Sequence, residues 1–410
     1  MKKLFFFFAL ICLTSFANAQ WTQLTSGTTY PLASVYFIDA NTGYAVGDNG
    51  IIIKTTNGGI NWIQQISGIN DDLNSVYFID SNIGYAVGGP YNLGIILKTI
   101  NGGISWETQI SGTNKGLNSV FFIDAYIGYA VGNNGAIVKT TNGGNDWTLQ
   151  YGFNCDLYSV CFTDTNIGYV VGSYWDPINL INNGVILKTT NAGSNWTPQT
   201  SGTDKSLNSV FFTSSDTGYI VGSCTILKTS NGGINWVPEI SDTVDYLHSI
   251  YFTDTHTAYA VGGWTWLADT IAIMKTTNGG ISWERQSTGT YGFLSSVYFI
   301  DTNTGYAVGG NYLDSSNVIL KTTNGGVQWV EENSEKETLK IYPNPATNNI
   351  TIESSQTAVI DITTIQGQII LQQKLQQGKT NLVISGLAKG VYILRLNSND
   401  KSEVRKIIKE

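Results

Sequence analysis

Arginine is nearly missing from this chain. Its 410 residues include only Arg285, Arg395 and Arg405, and the formal charge is −8. A nucleic-acid partner needs clustered Lys and Arg to displace counterions, so that class of function is excluded. Histidine is confined to His248 and His256, and neither has a Ser or Cys at a spacing that suggests nucleophilic chemistry. Of four cysteines, Cys12 lies in an N-terminal apolar run, leaving Cys155, Cys161 and Cys224. That odd number lacks zinc-site spacing, and six residues of extended chain hold Cys155 and Cys161 too far apart for an unstrained disulfide. No Gly-rich phosphate loop precedes a helix, so neither a metal nor a cofactor is expected. Beyond the N-terminus no apolar run is long enough to cross a membrane.

What is present is aromatic and glycine-rich. Aromatics make up 12 % of the chain and Gly counts 45, against only 13 % charged residues. This balance suits many short strands and tight turns. Lys2 and Lys3 precede the apolar run Leu4 to Phe16, and Ala17-Asn18-Ala19 completes a signal-peptide pattern over residues 1–19. The mature chain is expected to begin at Gln20.

From there on a repeat dominates the chain. Trp21, Trp62, Trp106, Trp147, Trp196, Trp236, Trp283 and Trp329 recur at intervals of 40 to 49 residues. Between them come three phrases, each present seven times. The first is Leu32-Ala33-Ser34-Val35-Tyr36-Phe37, the second Gly43-Tyr44-Ala45-Val46-Gly47, and the third Ile52-Ile53-Lys54-Thr55-Thr56-Asn57-Gly58-Gly59. The β-branched and aromatic runs read as strands, and Asn-Gly-Gly reads as a hairpin turn that needs positive φ. With the Trp segment as a fourth strand, the unit is a propeller blade. Repeats of an open solenoid are usually shorter and parallel. The reading is therefore all-β, a seven-bladed β-propeller over residues 20–330. Eight Trp segments serve seven blades. Trp21 to Leu24 has the spacing of an outer strand of blade 7 and is expected to lock the ring there, with Trp329 on its own hairpin.

Thr55-x-Asn57-x-Gly59-x-Asn61-Trp62 resembles the Asp-box, or BNR repeat, of sialidase-type propellers. The whole unit resembles the repeat of the photosystem II assembly factor family, which implies seven blades. Neither implied function transfers. Sialidases clamp a carboxylate with three Arg, and this propeller has only Arg285. The assembly factors are associated with a basic patch that an acidic propeller lacks.

After a charged linker at 331–339, residues 340–410 read as a small β-sandwich. Ile341-Tyr342-Pro343-Asn344-Pro345, Gly386-Leu387-Ala388-Lys389-Gly390-Val391-Tyr392-Ile393-Leu394-Arg395 and a Lys-rich end resemble the type A C-terminal sorting domain of the type IX (Por) secretion system. The resemblance implies engagement with that machinery and a secreted or outer-membrane-surface location.

No catalytic site stands out. A glycoside hydrolase needs two carboxyls across a sugar, and Asp176, Asp269 and Asp314 lie in loops that could converge, although lone loop acids usually form Asx turns. Asp39, Asp80, Asp124, Asp164, Asp254 and Asp301 end the first strands singly, which suits turns rather than calcium. The recurring Lys from Lys54 to Lys321 read as turn caps. Length variation concentrates in the connection between strands two and three. It is short in blades 1, 3 and 5 and long in blades 2, 4, 6 and 7, where it carries Tyr91, Tyr174, Trp175, Trp264, Trp266 and Tyr312. Exposed aromatics on variable loops are the expected ligand contacts, for an extracellular glycan or protein. A non-catalytic binding or adhesion propeller is the leading expectation, and a glycoside hydrolase the alternative.

Overall fold

The computed structural model describes residues 21–178, 181–239, 246–263, 271–311, 316–326, 339–354, 357–364, 368–398 and 401–410. Two compact units emerge, Met1–Gln328 and Trp329–Glu410.

The first unit holds seven antiparallel four-stranded sheets. Blade 1 runs Leu32–Phe37, Gly43–Gly47, Ile52–Thr55 and Ile63–Gln65 in that order. The middle strand, Gly43–Gly47, is buried throughout because both its faces are covered by neighbouring blades. Small residues at its ends are needed there. A Cβ on Gly47 would lie 2.1 Å from the carbonyl oxygen of Pro31.

Three sets of repeated contacts knit the blades into a closed ring. The Ser34 hydroxyl accepts from the amide of Val76 in blade 2, and the pattern continues through Ser75, Ser119, Ser159, Ser209 and Ser249 until Ser296 accepts from Val35 at 3.3 Å. The Tyr44 hydroxyl donates to the turn carbonyl of Gly102 at 2.7 Å, and the Lys54 ammonium reaches the same oxygen at 2.7 Å while lying 5.3 Å from the Tyr44 ring centre. The same Tyr and Lys pair recurs at every blade junction, ending with Tyr306 and Lys321 on Gly58 of blade 1. The seven lysines are thus caps on the next blade's turn. Aromatic packing supplies the third link. Phe37 stacks on Tyr306 of blade 7 at 3.9 Å while Trp62 meets Phe37 edge-on at 5.9 Å.

The Asn-Gly-Gly turn is a small polar lattice. Thr55 Oγ1 accepts from the amide of Gly59, and Asn57 Oδ1 accepts from that of Asn61. Gly58 and Gly59 hold φ of 65° and 82°. In blade 4 Ala192 takes the first of these places at φ 53°, in a region its Cβ disfavours. At the far end of the first strand, Asp39 Oδ1 accepts from the amides of Asn41 and Thr42, both at 2.7 Å. Ser214, where the Asp series breaks, does the same for Asp216 and Thr217.

Thr22–Leu24 completes blade 7, pairing Thr22↔Lys321, Gln23↔Leu320 and Leu24↔Ile319. Trp21 is fully buried against Phe299 and Tyr259. The expected N-terminal lock is present, and Trp329 lies outside the described residues.

The second unit is a sandwich of a three-stranded sheet (Leu339–Tyr342, Asn349–Ser354, Gly378–Val383) and a four-stranded one (Ile369–Leu375, Ala358–Thr364, Gly390–Ser398, Lys401–Lys409). Ile350 and Ile352 of one meet Ile360, Ile362, Leu394 and Leu396 of the other in a shared core. Alternation of apolar and polar residues in each strand produces this result.

Candidate ligand-binding face

In an antiparallel blade the connection between strands two and three lies at the opposite end from the Asn-Gly-Gly turn. The seven such connections therefore share one face of the ring. In blades 1 and 3 they are single 3-10 turns, Asp48–Gly50 and Asn133–Gly135. In blade 4 the long connection is a strand extension, not an irregular loop. Gly168–Asp176 and Ile181–Thr189 stay paired from Gly168↔Thr189 out to Asp176↔Ile181. Gly305–Asn311 and Ser316–Thr322 extend in the same way in blade 7.

This changes how the predicted aromatics relate to one another. Tyr174 and Trp175 are 42 % and 55 % exposed, but they are successive strand residues and so point to opposite sides of the ribbon. One ligand does not lie flat on both. Tyr91 is also exposed, and its hydroxyl donates to Asn134 Oδ1 of blade 3 at 2.7 Å. The Asn134 amide in turn donates to Asp156 Oδ1 of blade 4 at 2.9 Å. Partial desolvation of the hydroxyl, together with the Asp156 carboxylate, pushes the Tyr91 phenol up. Three blades thereby hold one aromatic ring in a fixed place. Trp264, Trp266 and Tyr312 lie outside the described residues, as do Asp269 and Asp314. Asp176 Oδ1 accepts from the Ile178 amide at 2.9 Å and forms a turn.

Sequence reasoning missed a carboxyl pair on this face. Asp72 Oδ1 accepts from the Asn49 amide at 2.9 Å, in the geometry that Asp156 repeats on Asn134. Asp48 is pushed up to about 6, first by burial and then by the charge of Asp72. The available signal was an acid at the start of the next blade, Asp72 just before its first strand and Asp156 as the first residue of its own, facing a short Asn-Gly turn.

The remaining titratable candidates are structural. His248 is half-buried, desolvation lowers its pKa, and its Nε2 sits 3.3 Å from the Gly263 carbonyl. His256 is exposed, and its Nδ1 lies 2.9 Å from the Thr255 hydroxyl. Burial pushes the Cys155 and Cys161 thiols up to about 11, far from thiolate reactivity at neutral pH, and Cys155, Cys161 and Cys224 are all reduced thiols. Among the described residues no group of three or more His, Cys, Asp or Glu could hold a metal ion. Grooves of 460 Å³ at Ile66 to Asn70 and at Arg285 to Tyr291 lie where each outer strand leads into the next blade, and neither is lined by Tyr91, Tyr174 or Trp175.

Charge on the unit is uneven. Residues 21–330 carry 10 Lys and Arg against 21 Asp and Glu, so their formal balance is 10 − 21 = −11. Seven of those bases cap turns at the opposite rim. Only Lys115, Lys205 and Arg285 remain for the rest of the propeller.

In the second unit, Asn344 and Ala346 bind the end of the last strand. Residues 340–410 match the secretion system C-terminal sorting domain. The chain is exported to the cell surface or the extracellular space. Residues 13–150 match the family described as photosynthesis system II assembly factor YCF48. A solved YCF48 bound to D1 peptide superposes with a TM-score of 0.59 at 19 % identity, covering 74 % of this chain and 95 % of that one. YCF48 from Cyanidioschyzon merolae gives 0.59 at 18 %, covering 74 % and 98 %. A GH74 enzyme of Niastella koreensis gives 0.51 at 15 %, covering 91 % of this chain and 65 % of its own. At these identities the likeness is one of fold. No curated protein matches the sequence.

Proposed function

We propose that the propeller is a non-catalytic binding or adhesion module that takes a glycan or protein ligand on the face formed by the strand two-to-three connections. The observation that carries this reading is Tyr91, an exposed ring fixed through Asn134 and Asp156 across three blades. A ring ordered before binding loses little entropy when a sugar or side chain packs on it. The excess of acids over bases disfavours a polyanionic ligand and suits a neutral glycan, whose hydroxyls donate to carboxylates, or a basic protein surface. One solved propeller of this fold is described as bound to a peptide.

The test is a glycan array and a surface-protein capture with the mature chain, followed by Tyr91→Ala and Trp175→Ala. Each is expected to weaken binding about tenfold or more, with a melting temperature close to that of the parent. Loss of stability with binding intact would make these rings loop packing and sink the reading. A second reading, glycoside hydrolysis, draws on Asp48, whose raised pKa beside the Asp72 carboxylate resembles an acid and its charged partner. Sugar release by the parent that Asp48→Asn abolishes would favour it.

A further inference from the structure

The first strands of successive blades meet one another all the way round and so line the axis of the ring. Just before the Phe that closes each of these strands stands one half-buried residue. It is aromatic in six blades, as Tyr36, Tyr77, Phe121, Phe211, Tyr251 and Tyr298, and in blade 4 it is Cys161.

The mutual angles of these rings tell how they stand. Neighbours make interplanar angles of 46°, 48°, 50°, 52° and 57°, with centroids 5.0 to 5.7 Å apart. One seventh of a turn is about 51°, and in an ideal seven-bladed ring only planes standing parallel to the axis differ by that much. Each ring also lies nearly parallel to the closing Phe of the next blade, at 21° to 28° and 5.6 to 6.4 Å. The Tyr77 hydroxyl donates to the Phe122 carbonyl of that next blade at 3.0 Å, so its long axis runs around the ring. One face of each aromatic is therefore backed by protein, and the other looks onto the axis. Cys161 leaves one opening in this collar.

Size and charge select an occupant. Seven positions with these spacings lie on a circle of radius about 6 Å, the distance at which a ring face still attracts a cation. Atoms touching the rings at about 3.5–4 Å would stand about 2 Å or a little more from the axis. A bare ammonium ion is too small for that space, whereas methyl groups about 1.5 Å from a central nitrogen nearly fill it. Burial raises the pKa of Tyr36, Tyr77, Tyr251 and Tyr298, so the phenols are neutral at pH 7 and present ring faces. No Lys or Arg stands in any first strand, and three positions after the collar residue six of the blades carry an exposed Asp, from Asp39 to Asp301.

We propose that this collar binds a trimethylammonium group on the axis of the propeller. The site lies towards the Asn-Gly-Gly end of the ring, away from Tyr91, and is independent of the ligand face proposed above.

The test is calorimetric titration of the mature chain with choline and with 3,3-dimethylbutan-1-ol, its uncharged isostere. Choline is expected to bind at least about tenfold more tightly, because the rings act on charge. Tyr251→Leu should weaken choline binding about fivefold, while Tyr251→Phe, which keeps the ring face, should stay within about twofold of the parent. Co-sedimentation with phosphatidylcholine vesicles that free tetramethylammonium abolishes would assign the group to a lipid headgroup, and choline binding without it to a soluble ligand; either supports the site. Failure of the parent to bind choline would overturn the proposal, as would equal affinity for the isostere. So would a loss in Tyr251→Phe as large as that in Tyr251→Leu. Should Tyr251→Leu fail to fold, the parent's preference for choline over the isostere decides alone.

Discussion

At the scale of single residues, the blades are joined by side chains with two duties each. The Tyr44 ring packs against Phe78 while its hydroxyl and the Lys54 ammonium share one carbonyl of the next blade. Burial pushes that phenol up to about 12, so it remains a donor across the physiological range. Asp48 behaves in the opposite sense, as a strained site. Its folded pKa of about 6 lies above the unfolded value of about 3.9, so the unfolded chain releases the proton first. Stability is lost as pH rises from about 4 to about 6 and stays lower at neutral pH. Asp48→Asn should therefore stabilise the propeller at pH 7 by about 1 kcal/mol, a value discounted because the group is half exposed, and should change nothing at pH 4. Thermal melts at the two pH values check this. An equal effect at both would show that the carboxyl is not what is strained.

At the scale of elements, the N-terminal strand closes the ring. The first three strands of blade 7 come from the end of the repeat region, and its fourth, Thr22–Leu24, comes from the beginning. Two distant segments must meet, which makes closure the longest-range contact in the unit. Trp21 fills the place that Trp62 and its counterparts occupy in other blades, against Phe299 and Tyr259. Trp21→Ala should destabilise the propeller by about 3–5 kcal/mol, the range for emptying a large buried aromatic site. Denaturant unfolding measures it. A loss below about 1 kcal/mol would mean that the strand contributes little to closure. The extended hairpin of blade 4 belongs to the same scale. Its length was legible from residue spacing, but its strand pairing was not, because Asn182-Asn183-Gly184 reads as a turn until Trp175 and Tyr174 are seen to pair with it.

At the scale of the whole molecule, the sorting unit has its own core and the ring closes without it. A chain ending at residue 330 is expected to fold and to accumulate in the periplasm, with its melting temperature unchanged. Fractionation of cells and medium checks this. Efficient appearance of the truncated chain in the medium would show that the tail is not needed for export. The acidic balance of residues 21–330 also belongs here, since it biases the encounter with any ligand before a contact forms.

The amino-acid sequence alone determined the blade count, the strand phrases and the N-terminal lock, because period, register and turn chemistry are local and were repeated seven times. It also determined the tail, whose motifs match a sorting domain. Only tertiary structure decided which groups meet across blades. The Tyr and Lys caps, Tyr91 with Asn134 and Asp156, the raised Asp48 and the clamp of Asn344 on Lys406 and Ile408 all join residues about 20 to 250 positions apart. Such pairs leave no spacing rule in the chain. Their geometry exists only once the ring and the sandwich have closed.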